Sequence, residues 1–367
     1  MTSSKRPTNR RQFLLGKSAL QAFEGALPAE EPGRERTANE NVALETYLVQ
    51  VGRPAMACDF DIYLNAGQHQ AATEAAISAL DLVDQLESQM TVYRPDSEVL
   101  SINRTAGQGP VPVEPRLFRL LSQAVELYRA TGGAFDITSG PLSKAWGFFK
   151  RAGRFPSSED VEIAKSRVGS HWIELDANAK TIRFRRPDLE ISLNAIGKGY
   201  ALDRCAELLV ERGIVDFLIH GGRSSILARG SRAIDASHDK GWLVAVKHPF
   251  RPDEVLLELW LRDRALGTSG VGNQFFHFEG KRYGHILDPR TGWPTDRVLS
   301  ATVLAPDAAT ADALATAFFV MGINDALEFC ESRPELAAIF VRPAARAGDI
   351  ELVTHGLQPH EIRKPQE

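Results

Sequence analysis

Two side chains with oxygen donors lie one helical turn apart late in the sequence. Asp312 and Thr316 occupy positions i and i+4 of ATADALATAFFVMG, so a helix over this segment places both on one face. A carboxylate and a hydroxyl are hard oxygen ligands of the kind that Mg²⁺ binds, and the small alanines leave space for a substrate phosphate. The pair suggests a divalent cation beside a phosphate; an ordinary polar helix face is the alternative.

A glycine-rich segment, SLNAIGKGYALD at 192–203, has the composition of a strand end that turns into a helix. Gly197 and Gly199 leave backbone amides open at the predicted helix N-terminus, and Lys198 adds a positive charge between them. Such a helix start suits anionic oxygens, for example those of a pyrophosphate. The spacing matches neither GxGxxG nor the GxxxxGK(S/T) pattern of a P-loop, which excludes both loops. A plain strand-to-helix turn is the alternative.

An imidazole and a carboxylate lie three residues apart in RYGHILDPRTGWP. His285 and Asp288 stand beside a Pro-Arg-Thr-Gly turn that would fix the loop carrying them. Two such groups can relay a proton, with His285 as general base and Asp288 as its orienting group. A buried histidine bonded to a neighbouring turn carboxylate is the alternative.

A double glycine leads into Phe135 and Asp136 within TGGAFDITSGPLSKAWGF, residues 131–148. Glycine lets the backbone approach a ligand closely. A carboxylate beside an aromatic ring can bond the edge of a planar ligand while the aromatic covers its face. A tight turn capped by the aspartate is the alternative.

Composition excludes several classes of protein. The chain has 367 residues, with 43 Lys+Arg against 47 Asp+Glu and a formal net charge of −4, which argues against a basic nucleic-acid surface. Cys58, Cys205 and Cys330 are far apart and odd in number, so neither a disulfide framework nor a structural zinc site is expected. No window holds the roughly eighteen apolar residues that a membrane-spanning helix needs.

Hydrophobic periodicity predicts helices and short strands mixed along one α+β domain, and it argues against repeats or a βαβ series. The strand candidates are LETYLVQV, DFDIYL, WIEL, KTIRFRR, LEISL, VDFLIH, SILAR, WLVAVK, EVLLELWL and QFFHF. The helices are predicted over 71–90, with Ile77, Leu80, Val83, Leu86 and Met90 on one side; from Pro115, burying Leu117, Leu120, Leu121, Ala124 and Leu127; over about 199–212; and over about 308–321, opened by Asp307 and closed by Gly322.

These patterns predict a domain over 42–343, preceded by a segment at 1–41 and followed by a loosely held C-terminal tail at 344–367. Arg10, Arg11, Phe13 and Leu14 match a twin-arginine export signal, although charged residues interrupt the apolar region that follows. The first segment is therefore either an export signal to the periplasm, or a vestigial signal or disordered tail of a cytoplasmic protein.

Taken in order, the clusters resemble the FAD:protein FMN transferase (ApbE) family. The matching strings are AMACDFDIYL, TVYRPDSEVLSINR, GGAFDITSGPLSKAWGF, IGKGYALD, FLIHGG, GTSG, RYGHILDPRTGWP and ADALATAFFVMG. The resemblance implies a T-fold-like α+β architecture with a mixed, mainly antiparallel sheet and packed helices. It also implies Mg²⁺-dependent transfer of the FMN half of FAD to a threonine or serine hydroxyl, with release of AMP. The acceptor would be a flavoprotein subunit of an electron-transfer complex.

The resemblance also assigns roles to individual residues. The metal would be held by Asp312 and Thr316 with a main-chain oxygen near Ala195, and Ala315 lies between those ligands. FAD would be lined by Met56, Tyr93, Ala134, Phe135, Asp136, Ser192, Lys198 and Ile286. Ser192 and Arg223 replace acidic residues that are usual in the family, and Met56-Ala57-Cys58 replaces Met-Gly-Thr. These departures keep two alternatives open: a non-catalytic FAD-binding protein, or an FAD pyrophosphatase that yields FMN and AMP.

Overall fold

The computed structural model describes residues 47–232, 240–272, 274–346 and 348–363, so the predicted export signal lies outside the described part. Within these ranges, no helix has both the length and the apolar character that crossing a bilayer requires. The strands are β1 (Leu48–Ala55), β2 (Cys58–Asn65), β3 (Val111–Pro112), β4 (Ile173–Asp176), β5 (Thr181–Phe184), β6 (Phe217–Gly221), β7 (Ser225–Arg229), β8 (Trp242–Lys247), β9 (Val255–Leu261), β10 (Arg264–Gly270), β11 (Phe275–Phe278), β12 (Lys281–Gly284), β13 (Ser300–Ala305), β14 (Ala337–Pro343) and β15 (Ile350–His355). The α-helices are α1 (Ala72–Met90), α2 (Glu98–Thr105), α3 (Pro115–Ala130), α4 (Gly140–Ala145), α5 (Ser158–Lys165), α6 (Gly197–Glu211), α7 (Ala308–Met321) and α8 (Ile323–Glu331).

An eight-stranded sheet forms the centre of the fold, in the order β1-β2-β6-β7-β10-β13-β14-β15. Every neighbouring pair in this sheet is antiparallel. Smaller sheets are formed by β3-β5-β4, by β8-β9 and by β11-β12. The mainly antiparallel α+β architecture predicted from the sequence is therefore confirmed.

The two faces of the large sheet are covered differently because side chains alternate along each strand. On β6, Phe217 and Ile219 belong to the core shared with the helices, whereas Leu218 belongs to a second apolar cluster. That second cluster is completed by side chains from β8 and β9, so this hairpin covers the face opposite the helices.

Helices α1, α6 and α7 pack on the other face, and two glycines bring α7 close to its neighbours. A Cβ atom on Gly199 of α6 would lie 2.0 Å from the carbonyl oxygen of Ala308. A Cβ atom on Gly267 of β10 would lie 2.4 Å from the carbonyl oxygen of Ala311. Only glycine permits such contact, so these positions fix α7 against both α6 and β10.

The four predicted helices are present, and Asp307 caps α7 by accepting a hydrogen bond from the Thr310 backbone at 2.8 Å. The prediction that Ile77 is buried was wrong: it is 45% exposed. The buried stripe of α1 instead runs through Ala76, Leu80 and Val83, and Ile77 lies about 100° around the helix from it.

The predicted strand LEISL is also absent, although its alternate residues are buried. Asn103 accepts a hydrogen bond from the Ile191 backbone nitrogen at 2.8 Å and donates one to the Ile191 carbonyl at 2.9 Å. Ser192 donates its backbone N–H to the Ile137 carbonyl at 2.7 Å. Because these partners replace a neighbouring strand, the segment is extended but unpaired in a sheet.

The C-terminal segment contains more structure than a loosely held tail. Strand β15 pairs with β14 from Ala338↔His355 to Pro343↔Ile350, so the sheet extends beyond the predicted boundary at 343. Pro343 lies at the end of β14, beyond the part that pairs with β13, and Glu351 lies on the edge strand β15; a proline and a charge are tolerated at such positions.

Candidate functional site

Asp312 lies on the second turn of α7, where three elements meet. Its carboxylate accepts hydrogen bonds from the Gly199 backbone nitrogen at 3.2 Å and from the Ser225 hydroxyl at 3.0 Å. The Lys198 ammonium lies 3.4 Å from Asp312 Oδ2. Asp312 is buried, at 4% exposure. Residues at the start of α6 and at the start of β7 therefore both contact this one carboxylate of α7.

Two hydroxyls, one on α7 and one on β10, lie next to this carboxylate region. Thr316 Oγ1 lies 3.0 Å from Ser269 Oγ on β10, and it also lies 3.4 Å from the Asp312 carbonyl oxygen. Among the described residues, no three His, Cys, Asp or Glu side chains form a group that could hold a metal. A cation here would therefore rely on one carboxylate, hydroxyls and main-chain oxygens. This donor set fits Mg²⁺, which commonly uses one or two carboxylates and completes its shell with water and substrate phosphates.

A cavity of about 450 Å³ opens beside these oxygen donors, large enough for a small-molecule ligand. It collects side chains from segments that are far apart in the sequence. Of the residues to which the sequence analysis gave roles, the cavity is lined by Tyr93, Asp136, Ser192, Ala195, Lys198, His285, Ile286, Asp312 and Thr316.

The other predicted site residues are not among those lining the cavity. Ala134, Phe135 and Ala315 are at most 1% exposed and fill the hydrophobic core. Met56 lies at the turn between β1 and β2 with a positive φ of 49°, and its backbone N–H donates to Glu87 Oε2 at 2.9 Å. Asp288 is also absent from the lining.

Asp136 lines the cavity, but its carboxylate is occupied within the protein. It accepts hydrogen bonds from the Thr138 backbone and hydroxyl at 2.8 and 2.7 Å, and from the Ser170 hydroxyl and backbone at 2.6 and 3.2 Å. Burial raises the pKa of Asp136, against the effect of these bonds. The side chain therefore fixes the loop after the double glycine to the segment around Ser170.

His285 lies at the cavity wall, and its ring position is fixed by the backbone. Nδ1 lies 3.1 Å from the Gln274 carbonyl oxygen, so Nδ1 carries the proton and Nε2 keeps its lone pair. Burial lowers the pKa of His285, and the nearby Lys198 charge acts in the same direction against that hydrogen bond. The imidazole is therefore neutral near pH 7 and can accept a proton.

Asp288 does not orient His285. Its carboxylate accepts hydrogen bonds from the Arg290 backbone nitrogen and from Arg290 Nε, both at 2.9 Å, and forms an ion pair with the same guanidinium at 2.8 Å. The Gly292 backbone donates to the Asp288 carbonyl at 2.8 Å. Asp288 therefore stabilises the turn after His285, and the Gln274 carbonyl takes the orienting place predicted for it.

Comparison with known proteins places this geometry in a family. The model of the ApbE family matches residues 56–340. The chain belongs to the ApbE family. It is 30% identical to the FAD:protein FMN transferase of Haemophilus influenzae over 308 residues, which cover 81% of this chain and 88% of that protein. It is 32% identical to the FAD:protein FMN transferase of Treponema pallidum over 294 residues, or 77% of this chain and 80% of that one.

Solved ApbE structures have the same fold. The ApbE protein of Thermotoga maritima is 29% identical and superposes with a TM-score of 0.73, covering 83% of this chain and 96% of that one. The flavin transferase ApbE of Vibrio cholerae is 26% identical with a TM-score of 0.72, covering 84% of this chain and 97% of that one.

Several lining residues of this ApbE chain carried no recognised signal in the sequence. Ser269 contributes a hydroxyl next to Thr316, and the GTSG string around it was the available clue. Lys144 and Glu190 form an ion pair on the cavity wall from segments 46 residues apart. Nothing local in the sequence marks such a pair, because only the fold brings the two charges together.

Proposed function

We propose that this chain is an FAD:protein FMN transferase that moves the FMN half of FAD onto a threonine or serine hydroxyl of an acceptor flavoprotein, releasing AMP. One observation carries the proposal: Asp312 and Thr316, Lys198 and His285 line a single cavity. Transfer from a pyrophosphate needs charge neutralised on phosphate oxygens and a proton acceptor for the attacking alcohol. These residues supply both requirements in one place.

The proposed metal ligands are Asp312, Thr316 and a main-chain oxygen near Ala195. Asp312 and Thr316 are oxygen donors adjacent on α7, and Ala195 lines the same cavity. When bound, Mg²⁺ would neutralise the negative charge that develops on the pyrophosphate oxygens. Ala315 is buried in the core between the two ligands, where its small side chain allows the helix to pack.

Lys198 is proposed to bind a non-bridging phosphate oxygen. Its ammonium group lies 3.4 Å from Asp312 and is partly exposed to the cavity. The first turn of α6 adds the partial positive charge of a helix N-terminus. A pyrophosphate at this position would therefore be near both a fixed positive charge and the proposed metal ligands.

His285 is proposed as the general base. With Nδ1 bonded to the Gln274 carbonyl, Nε2 is the atom that would accept the proton of the acceptor hydroxyl. The exposed ring of Tyr93, which packs at 4.9 Å on Phe149, is proposed to contact the flavin. Ser192 and Ile286 line the same cavity and are proposed to complete the FAD pocket.

The decisive experiment incubates the purified protein with FAD, Mg²⁺ and a flavin-acceptor domain of an electron-transfer subunit. We expect covalent flavin fluorescence on the acceptor after denaturing electrophoresis, with AMP released in equal amount. Formation of FMN and AMP without a labelled acceptor would instead identify a pyrophosphatase. Bound but intact FAD would identify a non-catalytic flavin-binding protein.

A matched pair of variants tests the metal assignment in the same assay. Asp312→Asn keeps the shape of the side chain but removes its charge, so we expect Mg²⁺-dependent labelling to be lost. Asp325→Asn makes the same change at an exposed position on α8 and should label the acceptor at the wild-type rate. Full turnover by Asp312→Asn would remove this residue from the metal site.

A further inference from the structure

A second cavity, of about 660 Å³, lies between α3 and α6 near the start of α7. It shares no lining residue with the cavity that contains Asp312. Four arginines line it: Arg116 and Arg119 one turn apart on α3, Arg204 on α6, and Arg229 at the end of β7. Four acidic side chains line it as well, namely Asp203, Glu207, Glu211 and Asp307.

The acidic side chains of this cavity are mostly committed to other partners. Asp203 accepts hydrogen bonds from the Ala308 and Ala309 backbone at 2.7 and 2.8 Å. Asp307 caps α7 through Thr310. Glu207 pairs with one amino group of Arg204, and Glu211 is exposed at the rim.

The arginines have few partners of their own. In the described ranges, the side chains of Arg116, Arg119 and Arg229 make no hydrogen bond or ion pair; Arg116 interacts with the charge of Glu114 and Arg229 with that of Asp203 only at longer range. Burial, followed by the charges of Arg116 and Arg119, lowers the pKa of Arg204. The guanidinium groups therefore repel one another within a space that has room for an anion.

Two buried polar atoms at the cavity wall point to a missing ligand. The Tyr200 hydroxyl and Arg204 Nε lack a hydrogen-bond partner among the described residues, although Tyr200 is 8% exposed and Arg204 is 6% exposed. A buried polar group without a partner is costly, and a bound water, ion or ligand is one explanation for it. Both residues lie on α6 and line the cavity, one turn apart.

We propose that this cavity binds a small phosphorylated molecule, with its phosphate held by Arg116, Arg119, Arg204 and the Tyr200 hydroxyl. Guanidinium groups bind phosphate through paired hydrogen bonds, and a dianionic phosphate compensates more than one of them. Leu120, Ala206 and Val210 give the cavity an apolar portion that suits the organic part of such a ligand. The volume exceeds what a lone phosphate needs and lies in the usual range for small-molecule sites.

The site is separate from the transfer chemistry but shares α6 with it. Lys198 lies in the first turn of α6, and Tyr200 and Arg204 follow on the same helix. The proposal does not depend on the activity of the protein, because its residues and contacts lie outside the cavity that holds Asp312.

Calorimetric titration of the FAD-saturated full-length protein with inorganic pyrophosphate, without Mg²⁺, tests the site, because bound FAD would occupy the cavity in which Lys198 is proposed to bind the same anion. In Arg116→Gln/Arg119→Gln, both changed residues are exposed, so the fold should be retained while pyrophosphate affinity falls at least tenfold. Arg129→Gln changes an exposed arginine on the same helix, outside the cavity, and should bind like the wild type. Affinity for FAD, followed by flavin fluorescence, should be unchanged in both proteins.

Tyr200→Phe removes only the unpartnered hydroxyl, and we expect a severalfold loss of pyrophosphate affinity without any loss of thermal stability in the ligand-free protein. Three results would overturn the proposal. They are the absence of pyrophosphate binding, binding that the double substitution leaves unaltered, and equal weakening by Arg129→Gln. Citrate provides the carboxylate comparison, and citrate binding as tight as that of pyrophosphate would contradict the assignment to phosphate.

Discussion

At the scale of single residues, the candidate site separates groups that bind from groups that hold the protein in place. Asp136 and Asp288 were both attractive as functional carboxylates, yet each is saturated by neighbours within its own region. Asp312 also has internal partners, namely the Gly199 backbone nitrogen, the Ser225 hydroxyl and the Lys198 ammonium. Of these, Lys198 lines the same cavity as Asp312. The available ligand chemistry is therefore concentrated at Asp312, Thr316 and His285.

His285→Asn should slow flavin transfer by about 10²–10⁴-fold, the usual contribution of a general base, while FAD affinity changes little. Because burial lowers the pKa of His285, the wild-type rate should stay high until the pH falls below 6.5, the ordinary histidine value. Single-turnover transfer rates between pH 5 and 8 measure both effects. His277→Asn alters an exposed histidine on β11 and serves as the control. An unaltered rate in His285→Asn would exclude the proposed proton transfer.

At the scale of elements, α7 is the part of the site that the fold controls most tightly. It is apolar almost throughout, and its buried residues face the sheet, α6 and α8. Gly199 and Gly267 allow backbone contacts with α6 and β10 that no larger residue would permit. The position of the Asp312 carboxylate therefore depends on how closely these backbones approach.

Gly199→Ala should destabilise the protein by about 1–3 kcal/mol, because its Cβ would lie 2.0 Å from the Ala308 carbonyl oxygen. The same shift should weaken Mg²⁺-dependent transfer by moving α6 away from Asp312. Chemical denaturation and the labelling assay measure the two effects. Gly109→Ala is the matched control, since a Cβ there meets nothing within 4 Å. Wild-type stability in Gly199→Ala would show that the helices can separate without cost.

Asp203 joins α6 to the first turn of α7, and burial raises its pKa to about 7 from an ordinary value of 3.8. Between these values the folded protein holds more protons than the unfolded chain, so this residue's contribution to the free energy of unfolding falls as pH rises. The wild type should therefore lose stability relative to Asp203→Asn between pH 4 and pH 7, with little further change above pH 8. Urea denaturation of both proteins across this range measures the difference. A constant difference would contradict the raised pKa.

The sequence predicted this region well because its signals are local. The Asp307 cap, the Gly322 terminator and the Asp312/Thr316 spacing all lie within one helix, and Gly197 to Gly199 mark the start of another. The failures involve partners that are distant in the sequence. Asn103 supplies hydrogen bonds that replace a strand partner for 189–193, and Gln274 takes the place predicted for Asp288. The spacing of residues in the sequence shows which side chains are neighbours along the chain, but it does not show which groups they bond in the folded protein.

At the scale of the whole molecule, the large sheet carries one hydrophobic cluster on each face within the described ranges. The helical face carries the candidate active site, and the opposite face is covered by the β8–β9 hairpin. The proposed metal donors include only one carboxylate, so the protein alone would offer a weak site for a divalent cation. Substrate phosphates would then supply the remaining negative charge.

FAD and Mg²⁺ together should therefore stabilise the protein more than either does alone. At FAD concentrations about 100-fold above its Kd, we expect the Tm to rise by about 3 °C or more, whereas Mg²⁺ alone should change it by less than about 1 °C. Differential scanning fluorimetry with EDTA, with Mg²⁺, and with each condition plus FAD measures this coupling. Asp312→Asn should keep the response to FAD but lose the additional effect of Mg²⁺. A large shift with Mg²⁺ alone would imply a metal site complete without the nucleotide.

The burial of α7 has a consequence for how molecules enter and leave the cavity. Helix α7 meets the cavity through Asp312 and Thr316 and is otherwise packed in the core, so we expect exchange where the cavity is lined by the exposed side chains of Tyr93 and Lys144. The rates at which AMP leaves and the acceptor hydroxyl enters would then depend on these few aromatic and lysine side chains. Substitutions around Tyr93 and Lys144 would accordingly change the rate of ligand exchange, whereas substitutions near Asp312 would change the rate of the transfer step.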